Sequence, residues 1–160
     1  MLNLPNLHHV FSQRQTLNMM NKFQILPFLL VFFCSCLDVK ASKSRASVVP
    51  VRLQCEYLEN PTGIDVPQPR LGWILEATDK TGFGQGQTAY RILVSSTEKL
   101  LQKENGDIWD SGWIDSDETQ QIQYGGVALQ SDRAYHWKVQ VKDENGVVSA
   151  WSEPAFWTTG

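Results

Sequence analysis

Cysteine is scarce in this chain. Of three cysteines, Cys34 and Cys36 lie in an apolar leader, which leaves Cys55 alone in the remainder. That excludes a disulfide framework past the leader, and no zinc or redox spacing is present. Cys55 sits in a strand pattern, which favours a small buried hydrophobe over a reactive thiol. Histidine is equally sparse. His8 and His9 fall in the leader, and His136 projects alone from an alternating segment, so no metal centre is written here. Positive charge is short as well: past Ala41 there are 11 basic and 16 acidic residues, a net charge of −5. With no basic stripe to neutralise phosphates, nucleic acid is excluded as a partner. Long amphipathic helical patterns and internal repeats are missing too.

The longest apolar run is Ile25-Leu-Pro-Phe-Leu-Leu-Val-Phe-Phe33, preceded by Lys22. It is too short to span a bilayer but suits the hydrophobic region of an export signal. Val39-Lys40-Ala41 places small residues at −3 and −1 of a cleavage after Ala41. Residues 1–41 are therefore expected to be an N-terminal extension and signal peptide, with Met19 or Met20 a more usual start than Met1. Phe33-Cys34-Ser35-Cys36 is a weak lipobox, with Phe33 where leucine is usual, so acylation of Cys36 remains an alternative, as does an uncleaved anchor. The expected location is periplasmic or extracellular, with an outer-membrane lipoprotein as the alternative. A membrane is a partner only if Cys36 is lipidated.

Residues 42–48 read as a polar linker and 49–160 as one domain. A domain of that size buries roughly two thirds of its unfolded surface and supports a single core. Val49–Leu58 reads as a strand with Val51, Leu53 and Cys55 on one side. Asn60-Pro-Thr-Gly63 and Pro67-Gln-Pro69 break the chain. Leu71–Ala77 directs Leu71, Trp73 and Leu75 inward. Gly82–Gly86 is a loop, and Ala89–Val94 puts Tyr90, Ile92 and Val94 on one face. Thr97–Glu104 is a short helical turn capped by Thr97, with Leu100 and Leu101 packed down. Ile108–Ile114 and Gln120–Tyr124 follow as strands. Glu144-Asn145-Gly146 signals a hairpin, and Val147–Trp157 closes the sheet. Short strands at about 8–12-residue spacing argue an all-β sandwich.

The densest signal is Leu129-Gln-Ser-Asp-Arg-Ala-Tyr135-His-Trp137-Lys-Val-Gln-Val141. Its period of two sends Tyr135, Trp137, Val139 and Val141 to one buried face. The leucine, the turn and the tyrosine opening a strand resemble the tyrosine corner of fibronectin type III and immunoglobulin-like antiparallel β-sandwiches. There the hydroxyl bonds to backbone a few residues upstream.

A wider resemblance runs through residues 50–158. Leu53-Gln-Cys-Glu-Tyr-Leu-Glu-Asn-Pro61, Gly63-Ile-Asp65 and Pro69-Arg-Leu-Gly-Trp73 come first. Gln87-Thr-Ala-Tyr-Arg-Ile-Leu-Val94, Trp109-Asp-Ser-Gly112, Tyr135-His-Trp-Lys-Val139 and Ala150-Trp-Ser152 follow in order. Together they resemble the amino-terminal immunoglobulin-like domain of bacterial α-L-rhamnosidases. The resemblance implies an exported parent that removes terminal L-rhamnose from glycans by inversion. Its catalytic carboxylates would sit in a helical barrel far downstream, so no catalytic residue carries over. The downstream domains of that glycosidase are then the expected partners, and the native frame is expected to continue past Gly160.

The chain's own chemistry is thin. Asp107, Asp110, Asp115 and Asp117 are dense, but Asp110-Ser111-Gly112 reads as a bend and the others as solvated positions. No Asp-x-Asp-x-Asp-Gly calcium loop forms. Gly82–Gly86 lacks the lysine of a phosphate loop, and no Gly-x-Ser-x-Gly elbow appears. Catalytic, cofactor and metal residues are thus expected to be none. Leu129, Tyr135, Trp137, Trp73 and Trp151 are expected to be structural. Trp109 and Trp113, four apart on one strand, would share a face. That face either packs in the core or against a neighbouring domain, or offers a platform for sugar. Trp157, near the end of the sequence, could pack on whatever follows.

Overall fold

The computed structural model describes residues 44–78 and 84–160. The expected signal peptide, Cys34, Cys36, and Gly82 and Phe83 of the glycine-rich loop lie outside the described residues.

Among the described residues, eight strands form two antiparallel sheets around a shared core, and one short helix packs outside them. The first sheet holds β1 (Val48–Cys55), β2 (Arg70–Ala77) and β6 (Ile122–Gln123), in the order β1-β2-β6. In the second, β3 (Gln87–Ser95), β7 (Ala134–Asp143) and β8 (Ala155–Thr158) lie side by side. The outer edge of β3 takes both β4 (Trp109–Asp110) and β5 (Ile114–Asp115). The frame is the β3–β7 ladder, paired from Gln87↔Asp143 to Ser95↔His136. Its inner face presents Tyr90, Ile92 and Val94 against Val141, Val139 and Trp137, the alternation the sequence predicts. Trp73, Trp137 and Trp157 are fully buried between the sheets.

On the outer face of β3 and β7, α1 (Glu98–Gln102) packs down with Leu101 buried and Leu100 half-buried. Its N-cap is Thr97, whose Oγ1 accepts from the Leu100 amide at 3.3 Å. Leu93, on that same outer face, is buried as well.

Several strands are less regular than their sequence period suggests. In β1 the register with β2 slips between Val51 and Gln54, where Arg52 adopts φ 51°. The extra residue reverses the alternation, so Leu53 and Cys55 are buried while Val51 is only half-buried, not aligned with them. With Pro50, this bulge blunts an otherwise open sheet edge. The expected strand 120–124 is cut at Gln121 (φ 59°) to two residues. Flanking bonds nevertheless hold the whole segment on β2, from the Trp73 amide to the Thr119 carbonyl and from the Tyr124 amide to the Pro69 carbonyl.

The hairpin at Asp143–Val147 closes as expected, with Gly146 at φ 72°. The closing strand, however, covers only Ala155–Thr158. Before it, the Ser149 and Ser152 hydroxyls accept from the Val141 and Val139 amides, while their own amides donate to the same two residues. The expected linker also joins the fold at its end. Ala46 is buried, the Thr78 hydroxyl donates to its carbonyl, and the Ser47 amide donates to the Asp143 carboxylate.

Candidate functional site

The pole where β7 begins and β8 ends is organised by Tyr135. Its ring is buried, and its hydroxyl accepts from the Gln130 amide at 2.7 Å. Leu129, half-buried, packs against the core beside it. The Tyr135 ring stacks on Trp157, whose own ring meets Tyr124 and Trp137 edge-on. Trp157 thus fills the interior, which corrects the expectation that it waits for a following segment. The reason is its β8 register opposite Tyr135, which directs its ring into the core. Trp73 packs edge-on to Tyr90 and donates its indole N–H to Gln87 Oε1 at 2.9 Å. The Gln87 amide in turn donates to the Ser116 and Glu118 carbonyls, a buried polar brace that strand periodicity gave no reason to single out.

Trp109 and Trp113 do not share a face. The pairing of β3 shifts by one residue between β4 and β5, across Ser111 and Gly112, with Gly112 at φ 61°. That extra residue turns the two indoles to opposite sides of the sheet. Trp109 packs against the core, edge-on to Tyr124, and the Gly125-Gly126 backbone lies against both rings. A Cβ at Gly126 would stand 2.3 Å from the Tyr124 hydroxyl and 2.7 Å from the Trp109 Cβ, so only glycine fits there. Trp113 is exposed at 36%, with the Lys142 ammonium 4.5 Å from its ring centre.

Trp151 also leaves the expected core. With Ser149 and Ser152 bonded to the ladder, its indole turns outward and is half-buried under the Lys138 ammonium at 4.7 Å, with the Arg91 guanidinium at 5.9 Å. Such cation–aromatic contacts contribute about 0.5–1 kcal/mol each at exposed sites. Burial pushes the Lys138 pKa down from its ordinary value.

Three of the aspartates are occupied structurally. Asp110 grips Arg91 through two oxygens and also accepts from the Gly112 amide, which holds its pKa low. Asp107 accepts from the Ser96 amide and hydroxyl. Asp115 and Asp117 are exposed. Asp143 is buried. Burial works against its charge, but amide donors from Ser47, Val147 and Asn145 outweigh that and hold its pKa below the ordinary value. Burial, and then the neighbouring Glu56, push the Cys55 thiol up to about 12, which leaves it un-ionised at neutral pH. His136 is half-buried, its ring tilted against Phe156.

Asp107, Asp110, Asp143 and the hydroxyls of Ser149 and Ser152 thus serve the fold, Trp109 packs against the core, and Trp113 and Trp151 each face a cation. Residues 50–160 match the family model described as Rha78A-like, N-terminal immunoglobulin domain. The chain belongs to this family. It is 33% identical over 141 residues to an α-L-rhamnosidase of Formosa agariphila, covering 88% of this chain and 14% of that one. Against an α-L-rhamnosidase of Streptomyces avermitilis it is 37% identical over 105 residues, covering 66% of this chain and 10% of that one. Among solved structures, an α-L-rhamnosidase from Dictyoglumus thermophilum superposes with a TM-score of 0.65 at 35% identity, over 69% of this chain and 12% of that one. The Streptomyces avermitilis α-L-rhamnosidase complexed with L-rhamnose gives 0.65 at 34% identity, over 71% and 10%. The chain therefore spans about a tenth to a seventh of the length of these relatives.

Proposed function

We propose that this chain is the non-catalytic opening module of an exported α-L-rhamnosidase, and that it acts as a structural and docking domain for the parts that follow. The carrying observation is the match itself: a family model for an N-terminal immunoglobulin domain over residues 50–160, within relatives of which the chain spans 10–14%. The fate of the polar groups supports the same reading. Hydrolysis of a glycosidic bond needs two carboxyl groups facing one substrate, one to protonate the leaving oxygen and one to activate water. Here Asp110 is tied to Arg91, Asp107 to Ser96, and Asp143 to three amides. The covered Trp109 and the lysine-topped Trp113 favour docking over an independent sugar-binding role.

Sequencing the transcript through codon 160 tests the assignment. The reading frame is expected to continue into further β domains and a helical barrel. A stop there, with no glycosidase sequence in any neighbouring frame, would leave an orphan sandwich and contradict the proposal.

A further inference from the structure

The fold has two unlike poles. Ala46 and Ser47 enter beside Asp143 at one of them, where Gln87 pairs with Asp143. At the other, β1 ends, β7 begins and β8 finishes, and the described chain leaves at Gly160. The exit is fixed by hydrogen bonds. The Thr159 amide donates to the Arg133 carbonyl, its hydroxyl donates to the Gln130 carbonyl, and the Asp132 amide reaches the Gly160 carbonyl. A Cβ at Gly160 would lie 2.6 Å from an Asp65 carboxylate oxygen, so the last residue is pressed against the 64–67 segment.

Around this fixed exit several apolar side chains stand exposed among polar ones. Leu58, Val66 and Val127 are exposed at 58%, 44% and 59%, and Tyr57 at 51%. A groove of about 390 Å³ runs beside Val127 and Tyr135, and a smaller one of about 150 Å³ lies between Val66, Leu129 and Gly160. Some of the loops at this pole hold residues in uncommon backbone conformations. Glu56 (φ 49°) and Tyr57 (φ 67°) are the central pair of a two-residue hairpin closed by Cys55 and Leu58, a geometry that usually takes Asn-Gly. Arg70 clamps both: it pairs with the Glu56 carboxylate, and its guanidinium lies 5.0 Å from the Tyr57 ring centre. Asn60 (φ 50°) is held as its Oδ1 accepts from the Phe156 amide, and Asp132 (φ 56°) by the exit bond. The hairpin that presents Tyr57 and Leu58 is thus pinned in place, and a surface fixed before binding loses less freedom when a partner covers it.

We infer that the pole bearing Leu58, Val66, Val127 and Gly160 seats the next domain of the longer polypeptide. This rests on the module reading above. The occupant follows from continuity. A rigid exit delivers the succeeding residues beside this surface, and relatives about six to seven times as long as this chain supply the residues to cover it. The described chain begins at the far pole, beside Asp143.

A chimera tests the seat. The Formosa agariphila α-L-rhamnosidase, its matching segment replaced by this domain, is followed by calorimetry beside the free 160-residue chain. Leu58→Ser, Val66→Ser and Val127→Ser are combined in one variant, and Val148→Ser, exposed at the opposite pole, is the control. The unsubstituted chimera is expected to unfold with the domain coupled to the body. The triple variant should release a separate transition coinciding with that of the free chain, while the free chain carrying the same substitutions melts unchanged. Val148→Ser should leave the chimera coupled. A chimera that stays coupled with the triple variant, or uncouples with Val148→Ser alone, overturns the seat without touching the module reading. An unsubstituted chimera that never couples counts against the module reading itself.

Discussion

The Gln130 amide donates to the Tyr135 hydroxyl at 2.7 Å across the turn that feeds β7. This bond ties the loop to a ring already stacked on Trp157, with centroids 5.4 Å apart. Two roles thus meet in one side chain, a core aromatic and a corner brace.

Removing the brace alone separates them. Tyr135→Phe keeps the ring and leaves the Gln130 amide without its acceptor, which should cost about 1–2 kcal/mol. Tyr135→Ala loses the ring as well and should cost roughly 3–5 kcal/mol. Urea unfolding of the three proteins measures both steps. Equal stability of the phenylalanine variant and the parent would show that the hydroxyl contributes nothing to the corner.

Acid should loosen the pole around Asp143. The Asp143 pKa is depressed in the folded state, so between the folded and unfolded values the unfolded chain binds more protons and stability rises with pH. The contribution is complete above the unfolded aspartate value and is lost as pH falls through the folded one. Glu56 and Asp110, both lowered chiefly by hydrogen bonds from arginine, push the same way. Asp143→Asn should be less stable than the parent at neutral pH, and its stability should fall less steeply from pH 5 to 2. Parallel acid profiles for the two proteins would remove Asp143 from this account.

Sugar affinity should be absent. Trp109 is covered by Gly125-Gly126 and Trp113 is topped by Lys142, so neither offers an open ring for stacking. Calorimetry of the chain with L-rhamnose should show no saturable heat, and Trp113→Ala should change nothing. Saturable binding lost in Trp113→Ala with the fold intact would restore the carbohydrate-binding reading.

The parts of this fold legible in the sequence are those where backbone pairs with backbone. In β7 the period of two places Tyr135, Trp137, Val139 and Val141 in the core, although Lys138 on the other face is buried as well. The reading fails where one extra residue or one hydroxyl enters the ladder. Gly112 adds a residue that parts Trp109 from Trp113, and Arg52 does the same to Val51 and Leu53. Ser149 and Ser152 replace backbone acceptors and expel Trp151. A serine or a glycine in a strand carries no mark of such a task, because the choice depends on the neighbouring strand. Gln87 was unreadable for the same reason: its partners Trp73, Ser116 and Glu118 are distant in sequence.

The claim that this domain packs and holds, and performs no hydrolysis itself, is most directly tested by turnover. The purified 160-residue chain is incubated with an aryl α-L-rhamnoside, beside the full-length Streptomyces avermitilis enzyme, and released phenol is followed. The account predicts a rate for the chain indistinguishable from buffer, while the full-length enzyme turns over. Sustained release by the chain alone, abolished by heat unfolding, would contradict it.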